Sequence, residues 1–283
     1  MQKVFLHINN NILDYKYIAN CKYDEIKKMV SEIKKQYLMD DLRIDLDIFI
    51  TILKNDIRKN VQGLSLSLYK VVENKQKEVY RIKGMYEFDK SFGIYNYIAG
   101  VDEVGRGPLA GPIVAAAVIL DLNYIDDIDL LLGVKDSKKL SKKVREKLAT
   151  VIKDKAISYN IALLSNKDID TKGIGWCNNE VFKLACKGLN IQPDMVLSDG
   201  YPIKNFDIEN KYAIKGDEKS ISIACASIIA KVYRDNLMDE YSKLHNKYGF
   251  QNNSGYGTQQ HMDAIRLLGT CEIHRNSFLK NIK

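Results

Sequence analysis

Two adjacent acids, Asp102 and Glu103, close an apolar strand-like run, YIAGV, at residues 97–101. Asp199 follows a second such run, MVLS, and Asp217 follows a third, YAIKG. Acids at the ends of buried strands gather at one edge of an α/β sheet, which is where such folds place their sites. Carboxylates gathered there repel one another unless cations neutralise them. A donor set made only of oxygen selects hard ions, so the expected cofactor is Mg²⁺ or Mn²⁺. Each acid alone has a plainer reading. Asp199-Gly200 can be a turn, and Asp217 can cap the helix that follows it. The adjacent pair is harder to absorb, because consecutive strand residues point to opposite faces. One of the two enters the core unless both sit in an irregular turn around something cationic.

A glycine-rich turn, Gly105-Arg106-Gly107, follows the pair and leads into a second apolar strand. With Gly111 it imitates a dinucleotide fingerprint. The imitation fails physically: the preceding acids repel a pyrophosphate, and residues 113–120 read as a strand, not as a helix whose N-terminus could hold phosphate. The glycines still let backbone groups come close to a ligand.

The elements that must carry these residues fall in two parts. All four prolines lie after residue 107, and before Gly93 the only glycines are Gly63 and Gly84. Residues 1–93 therefore read as a small all-helical region with net charge +4, because proline and glycine are the residues that most disrupt helices. Helices are predicted over 24–39, 46–60 and 61–88. Residues 94–283 read as an α/β domain with a mixed central sheet. Strands are predicted at 96–101, 113–120, 156–164, 195–197 and 212–214, with helices at 141–154, 178–189, 220–245 and 261–268. Ser141 is the expected N-cap of the first of these.

Composition sets the outer bounds. The chain has 283 residues, 46% hydrophobic and 28% charged, which excludes a disordered or fibrous protein. The longest apolar or small run, 109–120, contains Gly111 and Pro112 and is too short to span a bilayer. The first residues lack the pattern of a secretory signal. Five scattered cysteines make neither a disulfide framework nor a zinc knuckle. The expected location is the cytoplasm, away from membranes. The net charge of +7 permits a polyanionic partner. His261 and His274 lack a spaced metal-ligand partner and read as structural hydrogen-bonding groups. Trp176 reads as a packing residue, as does Cys225.

Taken together, residues 96–280 resemble bacterial ribonuclease HII. The likeness begins in 97–120 and continues through Asp136-Ser137-Lys138-Lys139-Leu140-Ser141, Leu197-Ser198-Asp199-Gly200 and Lys215-Gly216-Asp217. It extends through 222–235, Tyr248-Gly249-Phe250, Gly255-Tyr256-Gly257-Thr258, His261 and 274–278. The resemblance implies a ribonuclease H-like fold and a four-acid metal site of Asp102, Glu103, Asp199 and Asp217. It implies two divalent ions, with cleavage leaving 5′-phosphate and 3′-hydroxyl ends. The implied substrates are RNA–DNA hybrids and duplex DNA containing ribonucleotides. Gly105, Arg106 and Gly107 would contact a 2′-hydroxyl through their backbone, and Tyr256 would pack on the neighbouring deoxyribose. Lys138, Lys139, Lys231 and Arg234 are the candidate phosphate contacts, although each alone reads more readily as a solvated surface charge. Residues 1–93 lie outside the catalytic likeness, as an extension of the kind some bacterial members carry, and could hold duplex, dock a partner or only stabilise the domain. The sequence specifies no protein partner. Two other readings compete with a metal-dependent nuclease: a catalytically silent hybrid-binding module, and a nucleotide-binding oxidoreductase built on the glycine turn.

Overall fold

The computed structural model describes residues 7–8, 11–12, 14–39 and 46–280. It forms two compact units, Met1–Arg81 with Asp126–Ile128, and Ile82–Ile125 with Asp129–Lys283. Parts of the predicted 1–93 region, at 1–6, 9–10, 13 and 40–45, lie outside the described residues. Among the described residues no helix is long and apolar enough to cross a membrane.

The first unit holds a short antiparallel pairing of β1 (His7–Ile8) with β2 (Asn11–Ile12). Helices α1 (Tyr15–Asn20), α2 (Tyr23–Met39) and α3 (Asp47–Lys54) follow, and α4 (Lys59–Lys90) belongs to this unit as far as Arg81. Ile26, Val30 and Ile33 of α2 bury against Phe49 and Leu53 of α3 and Val61 and Leu68 of α4. The stretch predicted as one helix over 46–60 is interrupted. Helix α3 stops at Lys54, and the Asp56 carboxylate takes up the backbone N–H and guanidinium of Arg58. That guanidinium also donates to the carbonyls of Ile18 and Cys21, at 2.9 and 2.7 Å. Side-chain hydrogen bonds from Arg58, with its charge, hold the Asp56 carboxyl below its usual range. Local periodicity carries no trace of such a cap, because its partners are about forty positions away.

The second unit is built on a five-stranded mixed sheet in the order β5-β4-β3-β6-β7. Its strands are β3 (Ile98–Val104), β4 (Ile113–Ile119), β5 (Ser158–Leu164), β6 (Met195–Asp199) and β7 (Glu209–Ala213). β3 pairs antiparallel with β4 and parallel with β6, so Asp102, within β3, and Asp199, at the end of β6, lie on neighbouring strands running the same way. Helices α5 (Lys142–Lys155), α6 (Asn166–Lys172), α7 (Ile174–Lys187), α8 (Gly216–Lys219), α9 (Ile221–Leu244), α10 (Phe250–Asn253) and α11 (Gln259–Leu268) complete it. Ser141 precedes α5 as expected, although its side chain makes no capping hydrogen bond.

The sheet alternates its faces strictly. Ala99 and Val101 pack with Cys177, Val181 and Phe182 of α7. Ile98 packs with Ile223 of α9 on the other face. The fully buried β4 reads IVAAAVI, and its three alanines let a helix approach from each side. Gly100 is required for the same reason. A Cβ there would lie 2.2 Å from the Ser222 carbonyl carbon and 2.3 Å from the Ile223 nitrogen. Any side chain at position 100 therefore pushes α9 off the strand that carries Asp102.

The last turns of α4 meet the start of α9. Asp89 is fully buried, and its Oδ2 accepts the hydroxyl of Ser222 and, at 3.0 Å, its N–H. A carboxylate suits a helix N-terminus. Even so, burial pushes the Asp89 carboxyl up to about 6, against the hydrogen bonds from Ser220 and Ser222 that lower it. The folded protein therefore binds this proton more tightly than the unfolded chain, and stability falls as pH rises from the ordinary 3.8 through about 6. The expected size is about 3 kcal/mol for one fully shifted group. Asp89→Asn has no such dependence at this position. The stability of the wild type relative to the variant should fall by that amount between pH 3 and 7, measured by urea unfolding at each pH.

Candidate active site

Asp102 and Glu103 lie within β3 itself, paired with Ala116 and Ala115, and not in an irregular turn. They point to opposite faces of the sheet, and both faces are lined to receive them. Asp102 is buried on the α9 side, where the Ser227 hydroxyl bonds it. Ser227 in turn shares a 3.1 Å hydrogen bond with Ser137. Glu103 turns toward α7, where Asn178 bonds it and the Arg106 guanidinium stands 3.6 Å away. Asp199 ends β6, and its Oδ1 accepts the Gly216 N–H at 2.6 Å. That bond is set up by Lys215, which adopts the left-handed conformation (φ 56°) just before Gly216 and Asp217.

The four acids feel one another. Burial, then Glu103 and Asp199, raise the Asp102 carboxyl well above the usual range. Burial pushes Glu103 up to about 7, with Asp199 raising it further and Arg106 opposing. Asp217 is raised by burial, by Asp199 and by Asp136. The structure thus brings all four predicted acids to one sheet edge and adds Asp136, whose Oδ1 accepts the Lys138 N–H at 2.9 Å.

The glycine turn leaves β3 directly after these acids. Gly105 has φ +98°, and a Cβ there would lie 2.4 Å from the Arg234 Nε, so the fold itself demands glycine. Gly107 is different. Its φ is unexceptional, it is exposed, and the nearest atom to a Cβ is Tyr256 Cε1 at 3.9 Å. Tyr256, 43% exposed, therefore stands beside the turn as expected. Its carbonyl accepts from the His261 ring at 2.8 Å, and His261 Nε2 lies 3.1 Å from His274 Nε2. The two histidines are each other's partners, completed by the Cys271 N–H on His274 Nδ1 at 2.9 Å. Burial, then His261, pushes His274 down to about 4, so the pair is neutral at neutral pH.

The basic residues separate into groups. Lys138 is exposed, and its charge acts on Asp217. Lys139 is exposed but engaged by Glu218 at 2.6 Å, and half-buried Lys231 by Asp235 at 2.7 Å. Arg234 corrects the expectation of a phosphate contact. It is fully buried and donates to the carbonyls of Pro112, Ser254 and Ala110, so it presents no charge to a ligand. Trp176 is also not a core residue: it is half exposed, with the Lys172 ammonium 5.8 Å from its ring. Cys225 packs in the core as expected.

The family described as Ribonuclease HII matches residues 99–281, and the Ribonuclease HII N-terminal domain matches residues 29–93. The chain belongs to the ribonuclease HII family. A Ribonuclease HII of Clostridium perfringens (strain 13 / Type A) is 59% identical over 256 residues, covering 90% of this chain and 93% of its own. One from Clostridium botulinum (strain Loch Maree / Type A3) is 55% identical over 265 residues, covering 94% and 98%. Among solved structures, the ribonuclease H2 of Pyrococcus horikoshii OT3 superposes with a TM-score of 0.55 at 28% identity, covering 64% of this chain and 93% of that one. The RNase HII of Archaeoglobus fulgidus, solved in complex with PCNA, gives 0.53 at 26% identity, covering 64% and 94%. The mixed sheet is thus a ribonuclease H-like fold, and the chain is an enzyme of the nuclease class.

The acids at this sheet edge fit a hard divalent cation. They are oxygen donors, and the Asp199 charge raises the proton affinity of Asp102, Glu103 and Asp217, the electrostatic strain a cation relieves. Among the described residues no three acids, histidines or cysteines close into a ready-made metal cage. An open arrangement suits Mg²⁺, which binds through one or two carboxylates and completes its shell with water and substrate oxygens. Ser227, Asn178, Tyr201 and Asp136 were not singled out from sequence. Asp136 and Ser227 had a signal, each standing in a segment that matched the family. Asp102→Asn removes the most deeply buried of these charges. In EDTA the variant should melt no lower than the parent, and it should gain less than the parent from added Mg²⁺. An equal Mg²⁺-dependent rise in melting temperature would show that Asp102 holds no ion.

Proposed function

We propose that the chain is an endoribonuclease that hydrolyses the RNA strand of RNA–DNA hybrids and incises 5′ to ribonucleotides embedded in duplex DNA. One observation carries this reading. The acid cluster and the exposed Gly107–Tyr256 pair are joined by a turn that leaves β3 directly after Glu103. Groups able to hold cations at a phosphodiester therefore stand next to groups able to recognise the sugar beside it.

In this reading Asp102, Glu103, Asp199 and Asp217 hold two divalent ions, Mg²⁺ or Mn²⁺. Bound there, the ions would supply Lewis acidity for an attacking water and for the leaving 3′ oxygen. The protein's own groups orient the acids. Ser227 fixes Asp102, Asn178 fixes Glu103, and the Gly216 N–H fixes Asp199. Arg106 balances Glu103 and lies 5.5 Å over the Tyr201 ring, so its charge is available at the same edge. The backbone of Gly105, Arg106 and Gly107 meets the 2′-hydroxyl, and Tyr256 packs on the adjoining deoxyribose. Lys138 has the freest charge of the basic residues for phosphate, while Lys139 and Lys231 reach it only by leaving their acids. The free cysteines among the described residues support work in the reducing cytoplasm.

The test is a DNA duplex carrying one ribonucleotide, with the cut mapped in Mg²⁺, in Mn²⁺ and in EDTA. Incision on the 5′ side, leaving the ribonucleotide on the 5′ end of the downstream DNA and absent in EDTA, supports the proposal. Intact substrate in both metals would end it. Tyr256→Ala should lower kcat/KM on the single-ribonucleotide duplex by about tenfold more than on a continuous hybrid, where many registers are open and each lost stack is worth ~1–3 kcal/mol. Equal losses on both substrates make Tyr256 structural.

Residues 1–93 are proposed to add an auxiliary contact to the duplex. A truncation beginning at Ile82 retains Asp89 and its bonds to Ser222. It should keep the cut position, raise KM and flatten the salt dependence of binding, because lost phosphate contacts release fewer counterions. An unchanged salt slope in the soluble truncated protein would assign the region to another role.

A further inference from the structure

Arg275 is one of the largest fully buried side chains in the protein, and the proposed chemistry gives it no task. Among the described residues no carboxylate pairs with it, and Asp170 acts on it only at longer range. Its guanidinium instead donates to backbone carbonyls of the glycine loop. Nη2 reaches the Gly105 oxygen at 2.6 Å, Nη1 the Arg106 oxygen at 3.0 Å, and Nε the Gly111 oxygen at 2.9 Å. The Phe278 ring lies 5.3 Å from its central carbon.

The base of this side chain is itself fixed. The Arg275 N–H donates to the Leu109 oxygen at 2.8 Å, and the Gly111 N–H donates to the Ile273 oxygen at 2.8 Å. Leu109 donates in turn to Gly255, next to Tyr256. Arg275 is therefore held by the loop it holds, within the strip of backbone that also leads to Tyr256.

A trans peptide unit points its carbonyl and its N–H in opposite directions, and among the described residues no peptide bond is cis. With the Gly105 and Arg106 carbonyls turned inward to Arg275, the N–H groups of Arg106 and Gly107 must turn outward. Both residues are exposed, and within the described protein neither N–H has an acceptor. The result is a pair of adjacent outward donors beside the exposed ring of Tyr256. A planar fork is suited to this task, since it fixes two peptide planes at once, whereas an ammonium is a single point of charge.

We propose that Arg275 is a positioning residue for ribonucleotide selectivity, setting the two outward N–H groups of the turn against a 2′-hydroxyl. This rests on the reading that the turn meets that hydroxyl. The preference is then created from beneath the loop, by a side chain that never touches the nucleic acid.

The experiment uses the full chain and two duplexes in EDTA, one with a single ribonucleotide and one all-deoxy. In the wild type, the Arg106 and Gly107 amides should exchange rapidly when free and become protected by the ribonucleotide duplex more than by the all-deoxy one. Arg275→Lys, checked for folding by thermal melting, should reduce the ratio of the two dissociation constants by about fivefold, the scale of one hydrogen bond. Its affinity for the all-deoxy duplex should stay near that of the wild type, since a merely structural loss would weaken both complexes alike. Equal responses of the wild-type amides to both duplexes overturn the reading of the turn and the proposal together. Amides that respond to the ribonucleotide, with an unchanged ratio in Arg275→Lys, overturn the role of Arg275 alone. If the variant does not fold, the wild-type amides decide: slow exchange in the free protein means that they already point inward, and the proposal fails.

Discussion

Like charges brought together out of water dominate this structure. Asp102 enters the sheet on the α9 face, Glu103 on the α7 face, and Asp199 ends the next strand, so three carboxylates share one corner with little solvent between them. Such a corner is stable only if each group is individually satisfied or keeps its proton. The neighbouring elements meet that demand. Gly100 lets α9 come close enough for Ser227 to bond Asp102, and α7 supplies Asn178 to Glu103. The left-handed Lys215 delivers the Gly216 amide to Asp199. Both helices and the β7–α8 connection are thus arranged around one electrostatic problem.

The loop that follows meets the opposite problem. Arg234 and Arg275 are cations buried side by side, and each is answered by carbonyl oxygens instead of a carboxylate. Burial and the charge of Arg234 push Arg275 down to about 9, which still leaves it charged at neutral pH. The polypeptide from 105 to 112 is therefore shaped by its own carbonyl dipoles turning toward two fixed charges. An acidic corner and a loop drawn inward by cations adjoin along a few residues of chain. In the proposed function, cation capture and sugar recognition are neighbouring but physically separate tasks.

Much of this was legible in the residues. Acids after apolar runs, the Gly105-Arg106-Gly107 turn and the proline-poor first part indicated the sheet edge, the turn and the helical region. Period-two and helical patterns arise from the main core, so they reported β3, β4, α2 and α9 well. What they could not report depends on side chains distant in sequence. Arg58 ends a helix pattern by reaching Ile18 and Cys21, and nothing local to 46–60 shows it. Arg234 looked like a surface charge on a long helix, yet it points at carbonyls more than a hundred positions earlier. His261 and His274 lacked a spaced partner on paper because each is the other's partner, thirteen positions away. Asn178 and Tyr201, which face Glu103, lie in segments whose pattern indicated only packing.

The clamp on the glycine turn lies 170 positions after Gly105. During synthesis on the ribosome, β3 with its two acids and the turn emerges first, and Arg275 emerges after every other element of the site. A nascent or prematurely ended chain can carry Asp102, Glu103, Asp199 and Asp217 while its turn still lacks the side chain that sets its peptide planes. On the proposed role of Arg275, the order of translation makes discrimination the last property the protein acquires. Contacts spanning so much sequence also close slowly, so the newly made chain passes through a stage in which its acids are present and the Arg275 clamp is not.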